Sequence, residues 1–345
     1  MKQNVTMQDI ADRFGVSKVT ISKALNDKEG VSNELKNKII LGAEEMGYRM
    51  NAIAQSLKTN STFNIGVIVP EQFTNTGKYK NSNENVSFYM DLYQEVSKAL
   101  YEENYSAILH ILSTEDEEES ILPKLYRDNK VDGFIVLGQV AHSYVEKLQD
   151  TEFPIVYLDF YDEYLDRDSI TSDNFAGCYM ITNYLIHNAH RDIAFVGNLF
   201  STSSIQDRFL GYYKSLLEHK IQLPEDYIIS DRDEKGRYIE LVYPKKMPTA
   251  FVCNCDQVAN IVIRELQQKG YCVPEDISVV GFDNSIYSAM SIPTITTVEV
   301  DMTAMVCEVV RLLLKKLENI EYKSGKIAIK GKLVIKDSVA EKKKS

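Results

Sequence analysis

The 345-residue chain has no tryptophan and only five cysteines, an odd count without the spacing of a disulfide scaffold, which excludes a small cross-linked extracellular module and suits a reducing compartment. It has no apolar run near the roughly 20 residues of a membrane span, and its first residues, Met1 to Asn4, lack the apolar core of a signal peptide. A cytoplasmic location without membrane attachment is therefore expected. No Gly-rich phosphate fingerprint follows the first apolar strand, no nucleophile elbow occurs and the five histidines form no metal cluster. These absences weigh against an enzyme, and neither cofactor nor metal is expected. Cys253 and Cys255 flank Asn254 in an apolar run, which reads as a buried strand because no histidine or second cysteine pair completes a metal site.

Positive charge is also in short supply. The net charge is −11, yet residues 1–60 carry nine basic and seven acidic side chains, a net of +2, which leaves −13 on the remainder. DNA would repel so acidic a body, so any nucleic-acid contact has to come from the N-terminal segment. That segment reads as short helices. Met7, Ile10, Ala11 and Phe14 form an apolar stripe that Gly15 ends. Ser17 caps a second helix, Lys18 to Leu25, whose inner face is Ile21, Ala24 and Leu25. A third runs from Ser32 to Gly47. Two short helices joined by a glycine-containing turn make a helix-turn-helix, whose second helix enters the major groove. Its outward residues Lys18, Val19 and Lys23 are candidates for base edges, and Ser17, Thr20 and Ser22 for phosphates. A solvent-facing valine at position 19 implies a partner surface.

From Phe63 onward, apolar strands alternate with amphipathic helices. Strands are predicted at 65–69, 107–111, 134–137, 155–158, 193–196, 250–253 and 279–282, with helices at 90–102, 176–187, 209–219 and 258–269 among them. Such alternation gives parallel sheets covered by helices, here enough for two doubly wound lobes with a ligand cleft beyond the carboxyl ends of the strands.

Three strings go further: Thr6-Met7-Gln8-Asp9-Ile10-Ala11, Val16-Ser17-Lys18-Val19-Thr20-Ile21-Ser22-Lys23-Ala24-Leu25-Asn26, and Gly47-Tyr48-Arg49-Met50-Asn51-Ala52-Ile53-Ala54-Gln55-Ser56-Leu57. With them the sequence resembles the lactose-repressor (LacI/GalR) family. The likeness continues to about residue 339 through Asp132-Gly133-Phe134-Ile135, the segment His190 to Gly197, the segment Val273 to Asn284, and Thr296-Thr297-Val298. The resemblance implies a sequence-specific transcriptional regulator, a repressor of carbohydrate-utilisation genes whose operator affinity a small sugar controls. A purine or another metabolite is the alternative effector. It further implies an all-α head at 1–50, a hinge helix and linker at 51–62, and an α/β effector-binding and dimerisation domain of the periplasmic-binding-protein type at 63–345. Lobe one is expected at 63–172 and 301–324, and lobe two at 173–300 and 325–340, with crossings near 172, 300 and 324. The partners expected are double-stranded operator DNA, a small-molecule effector and a second copy of the chain. The tail from Ala340 to Ser345 has no leucine heptads that would join dimers.

By the same resemblance Asn51, Ala54, Leu57 and Lys58 lie on a hinge helix that enters the minor groove, where Leu57 wedges between bases and bends the duplex. Met50 stands where the family usually has proline. For the effector, Arg208 in the segment Ser203 to Gly211 and Asp283 match the family's ligand-directed arginine and acid. A rigid fork of donors and a pair of acceptors can grip neighbouring hydroxyls, whereas an ion pair between structural groups is the competing reading. Asp159, Ser204, Phe88 and Tyr89 are further candidates, the two aromatics serving equally well as core. The family's Asn-Asp pair appears as Asn254-Cys255-Asp256, so either cysteine occupies the asparagine position or the turn is shifted by one, and Asp256 joins the candidates. The polar stretch from Glu71 to Ser87 either reshapes the cleft mouth or is mobile.

Overall fold

The computed structural model describes residues 5–25, 28–48, 61–74, 86–151, 153–162, 164, 167–233 and 236–342. Its internal contacts divide the chain into Met1–Thr62 and Phe63–Ser345. Among the described residues no helix is long and apolar enough to cross a membrane.

Among the described residues of the first unit the helices are α1 (Met7–Phe14), α2 (Lys18–Leu25) and α3 (Asn33–Glu45). Thr6 and Asp9 form a reciprocal capping box: the Thr6 hydroxyl accepts the Asp9 N–H at 3.3 Å and the Asp9 carboxylate accepts the Thr6 N–H at 2.7 Å. Ser17 and Ser32 cap the other two helices, accepting the N–H groups of Thr20 at 3.1 Å and Leu35 at 3.4 Å. Ile10, Ala11, Ile21, Ala24, Ile39 and Ala43 form the buried centre, drawn from all three helices at the spacing of their apolar stripes.

The second unit runs β1 (Asn64–Pro70), α4 (Val86–Glu102), β2 (Ser106–Leu112), α5 (Thr114–Glu118), α6 (Lys124–Arg127), β3 (Gly133–Leu137), α7 (His142–Gln149), β4 (Ile155–Leu158) and β5 (Ser169–Ser172). It continues as α8 (Asn174–His187), β6 (Ile193–Val196), α9 (Ser203–Glu218), β7 (Ile228–Ile229), β8 (Ala250–Cys253), α10 (Asp256–Gln268) and β9 (Ser278–Val280). The last elements are α11 (Ile286–Met290), β10 (Thr297–Glu299), α12 (Met302–Glu318), β11 (Lys326–Ile329) and β12 (Lys332–Val334). One parallel sheet has the order β11-β5-β4-β3-β1-β2 and belongs to lobe one. A second, β7-β6-β8-β9, belongs to lobe two, and β10 pairs antiparallel with β12. The central strands are buried along their length, which is why they read as continuous apolar runs.

Three segments pass between the lobes. Asp173 and Asp301 occupy equivalent positions, each opening a helix by accepting an N–H, from Ala176 and Ala304, both at 3.0 Å. The third segment differs from the sequence-based expectation. Lys326–Ile329 pairs in parallel with Ser169–Ser172, so β11 completes the lobe-one sheet and the chain crosses at 330–331, not near 324. The apolar pattern of so short a strand, Lys-Ile-Ala-Ile, does not announce a sheet partner. Asp173 donates its N–H to Ile329 O at 2.8 Å, which fastens the first crossing to the third.

Candidate functional site

Two places carry candidate chemistry, one in each unit. On α2, Val19 is 66% exposed, and Ser17, Lys18 and Lys23 are exposed while Thr20 and Ser22 are half-buried. The side chains expected to face bases do face outward, and Ile21 and Ala24 are buried behind them. The first turn of α2 has no acidic residue and starts with Lys18. An unneutralised helix N-terminus beside a lysine costs stability on its own and attracts a phosphate. Asn51, Ala54, Leu57 and Lys58 lie outside the described residues.

The second place is a chamber between the lobes. Phe73, Phe88, Tyr89 and Asp159 line it from lobe one, and Thr202, Ser204, Ile205, Arg208, Arg232, Asn254 and Asp283 from lobe two. Asp159 follows β4 with φ 59° and Asp283 follows β9 with φ 101°. Both carboxylates thus sit on strained turns at carboxyl strand ends, where a doubly wound sheet offers its ligand site. The aromatic wall depends on Gly138, just beyond β3 with φ 76°: a Cβ there would lie 2.8 Å from the Phe73 ring and 2.9 Å from the Tyr89 ring. The Phe73 and Tyr89 rings are 4.3 Å apart, and Phe88 meets Tyr89 edge-on.

Arg208 is the hub. Its Nε donates to Asn174 Oδ1 at 2.8 Å, one terminal nitrogen to Asn254 O at 2.5 Å, and the other to Asp283 Oδ1 at 3.3 Å. The guanidinium lies 3.9 Å from the centre of the Phe282 ring. All three guanidinium nitrogens are thereby engaged, which leaves Arg208 rigid in a way a lone surface arginine is not. Tyr89 Oη donates to Asp159 Oδ2 at 3.0 Å, and Ser204 shares a hydroxyl contact of 2.9 Å with Thr202, the cap of α9. The side chains leave about 40 Å³ free, room for a few waters, so a sugar-sized ligand has to part the lobes.

Asp256 is not in this chamber. Its carboxylate accepts Thr297 Oγ1 at 2.6 Å and the Ser285 N–H at 2.7 Å, so it pins the loop that carries Asp283 from behind. Burial, reinforced by the charge of Asp283, pushes its carboxyl up to about 8. Asn254 is the residue of that turn that reaches the chamber: its Nδ2 donates to Val196 O and to Asp231 Oδ2, both at 2.9 Å. Arg232, clamped on Asp231 Oδ2 at 3.0 and 2.8 Å, also lines the chamber. Sequence reasoning missed Arg232, Thr202, Asn174 and Phe73. The Asp231-Arg232 pair follows a strand of only two residues, too short to register as one.

Burial pushes the Asp159 carboxyl up to about 6 against the pull of Arg208, and the charge of Asp283 adds to the rise. Burial likewise raises Asp283, opposed by Arg208. A buried acid that keeps its proton to higher pH than an ordinary aspartate favours this arrangement most below about pH 3.8, and the contribution is lost as pH rises through about 6. Asp159→Asn is therefore expected to melt at a higher temperature than the parent above about pH 7, and to flatten the pH dependence between about pH 4 and 7. Melting curves across that range check this. An unchanged slope in the variant would assign the pH dependence to other groups.

Comparison with known proteins finds matches in both units. Residues 6–51 match the family described as bacterial regulatory proteins, lacI family, and residues 182–339 match the periplasmic binding protein-like domain. The HTH-type transcriptional repressor PurR of Vibrio campbellii (strain ATCC BAA-1116) is 27% identical over 340 residues, 97% of this chain and 98% of the relative. Among solved structures, the lac repressor dimer bound to operator and the anti-inducer ONPF superposes with a TM-score of 0.77 at 22% identity, covering 98% of this chain and 100% of that one. The complex of the transcriptional regulator CelR with cellobiose gives 0.66 at 20% identity, covering 97% and 100%. Residues 6–51 thus match a helix-turn-helix of the lacI family and residues 182–339 a periplasmic binding protein-like domain, and with a two-lobed sensor of the lac repressor fold the chain is a DNA-binding transcriptional regulator.

Proposed function

We propose that the protein is a repressor that binds a roughly palindromic operator as a homodimer and releases or tightens its hold when a carbohydrate occupies the chamber between the lobes. The observation that carries the effector class is the make-up of that chamber. Both cations that line it are already paired, Arg208 with Asp283 and Arg232 with Asp231 behind the wall, and Asp159 adds a further carboxylate, so no cation is left over for an anionic ligand such as a sugar phosphate or a nucleotide. Carboxylate acceptors and a guanidinium fork facing each other suit a neutral ligand with many hydroxyls, and the aromatics gather on one wall, as a ring with a single apolar side requires. A purine base is the second reading, favoured by full-length relatives that carry the name PurR. Ile286, Met290 and Ile292 stand exposed around α11, an apolar surface suited to a second copy.

The test is operator binding by the full-length protein, the operator selected from random duplexes, titrated with neutral sugars and with purine bases while the oligomeric state is followed by sedimentation. A response to purine bases alone would replace the carbohydrate reading, and a monomer on DNA would end the dimer. For the head, Lys18→Ala or Val19→Ala is expected to change the preferred half-site, at about 1–3 kcal/mol for the base concerned. Repeating the selection with each variant checks it, and an unchanged preferred sequence would remove both residues from base readout.

A further inference from the structure

The hydrogen bonds of the chamber's charged groups stay on their own side of the cleft. Asp159 is held by Tyr89, both of lobe one, whereas Arg208 is held by Asn174, Asn254 and Asp283, all of lobe two. At the rim the lobes bond to each other. Tyr161 of lobe one donates its hydroxyl to the Asp207 carboxylate of lobe two, 3.1 Å from either oxygen. Lys326, at the start of β11 in lobe one, places its Nζ 3.6 Å from Asp207 Oδ2 and 3.2 Å from the centre of the Tyr161 ring. Gln139 Oε1 of lobe one accepts the Ser203 N–H of lobe two at 3.0 Å.

These rim residues are chain neighbours of those that line the chamber. Asp159 and Tyr161 follow β4 on one loop, and Asp207 immediately precedes Arg208 on α9. Anything that pushes Asp159 and Arg208 apart by the thickness of a ring therefore carries Tyr161 and Asp207 apart as well. With only about 40 Å³ free around Arg208, a sugar or a purine base enters by breaking the rim.

We infer that Tyr161, Asp207 and Lys326 form a latch that keeps the ligand-free lobes together and sets how much effector the switch needs, without touching the effector. Asp207 is then a positioning residue, acting on the chamber through the neighbouring Arg208. The inference rests on the inner chamber being the effector site, and not on the effector being a carbohydrate. The make-up of the latch suits a contact that has to open. The Lys326–Asp207 pair is partly exposed, 39% and 22% by side chain, and an ion pair so placed holds weakly. The tyrosine hydroxyl bonded to a carboxylate holds more firmly, and the lysine lying on its ring keeps it aimed. Apparent affinity is the intrinsic affinity reduced by the fraction of molecules already parted, so a loosened rim tightens apparent binding with no new ligand contact.

The chain carries its own reporters: Cys307 on α12 of lobe one and Cys272 of lobe two are exposed, and Cys178, Cys253 and Cys255 are buried. Full-length protein carrying nitroxides on Cys272 and Cys307, diluted with unlabelled protein so that distances within one protomer are read, is measured without ligand by pulsed dipolar spectroscopy. The parent is expected to give one narrow distance, and Asp207→Ala a second, longer one. Tyr161→Phe, which removes the same bond from the other lobe, should add that second distance too, and Asp207→Glu should largely restore the single one. An unchanged distance in both Asp207→Ala and Tyr161→Phe would overturn the latch whatever the effector is. Operator binding is then titrated with glucose, galactose, ribose, cellobiose, adenine and guanine. Whichever of them acts on the parent is expected to act on Asp207→Ala at about tenfold lower concentration. An equal or higher concentration in that variant would overturn the role of the latch in setting the response. If the lobes part in the variant but none of these compounds acts on either protein, the effector reading fails while the latch stands.

Discussion

Arg208→Ala is expected to abolish the effect of effector on operator affinity and at the same time to lower the melting temperature of the sensor by on the order of 5–15 °C. The sequence offers two readings of this residue, effector grip or structural ion pair, and the geometry joins them. Arg208 is buried, bonds Asn174, Asn254 and Asp283 through its three nitrogens, and still lines the chamber. Its removal leaves Asp283 without its partner at a buried site, a loss of the kind that costs about 3–5 kcal/mol, and takes away the fork that would face the ligand. Arg208→Lys keeps the charge but not the fork, and is expected to recover part of the stability and none of the response. Operator binding without effector should persist in both variants, because the head has its own buried centre of six residues. Anisotropy titration with and without effector, beside melting curves, checks this. A variant that melts early yet keeps the full response would reduce Arg208 to a structural role.

The parts of this molecule legible in its sequence are those where one local rule decides. The capping Ser17, Gly15, and the apolar faces through Ile10 and Ile21 each state a helix boundary or face, and the helices described in the head follow them closely. Central strands such as Phe134 to Leu137 are apolar on both sides because both faces are covered. What the sequence hides is decided by tertiary neighbours. The strand Ser169–Ser172 is polar yet buried, and β11 is four residues long; each exists because the other lies beside it, so the third crossing is misplaced when the sequence is read alone. The site shows the same division. Arg208, Asp283 and Asp159 are found from position after a strand or within a motif. Asp256 and Asn254 sit two residues apart in a turn, and only the fold shows Asn254 at the chamber and Asp256 behind it. Arg232 arrives from a loop whose strand is too short to see, and Asn174 is invisible until α8 lies against α9.

That packing of α8 on α9 sets the second large effect expected, at Gly211. A Cβ at this position would lie 2.2 Å from Phe175 O and 2.9 Å from Tyr179 N, both backbone atoms of α8, so no side chain can move aside to make room. Alanine must push the helices apart, which carries the cost of an overpacked core, about 1–3 kcal/mol and sometimes more. The damage is not confined to stability. Asn174 opens α8 and Arg208 lies one turn before Gly211 on α9, and their 2.8 Å bond crosses this same interface. Further along, Asn183 reaches Ser215 Oγ at 3.1 Å, so the contact is polar and directional, with little slack. Gly211→Ala should therefore lower the melting temperature and weaken the effector response together, although residue 211 does not line the chamber. Lys214→Ala, on the exposed side of the same helix, should stay within about 0.5 kcal/mol of the parent and respond normally. Melting curves and effector titrations on the two variants decide it. Parent-like stability in Gly211→Ala would mean that α8 can withdraw freely, and the coupling of that interface to Arg208 would then have to be abandoned.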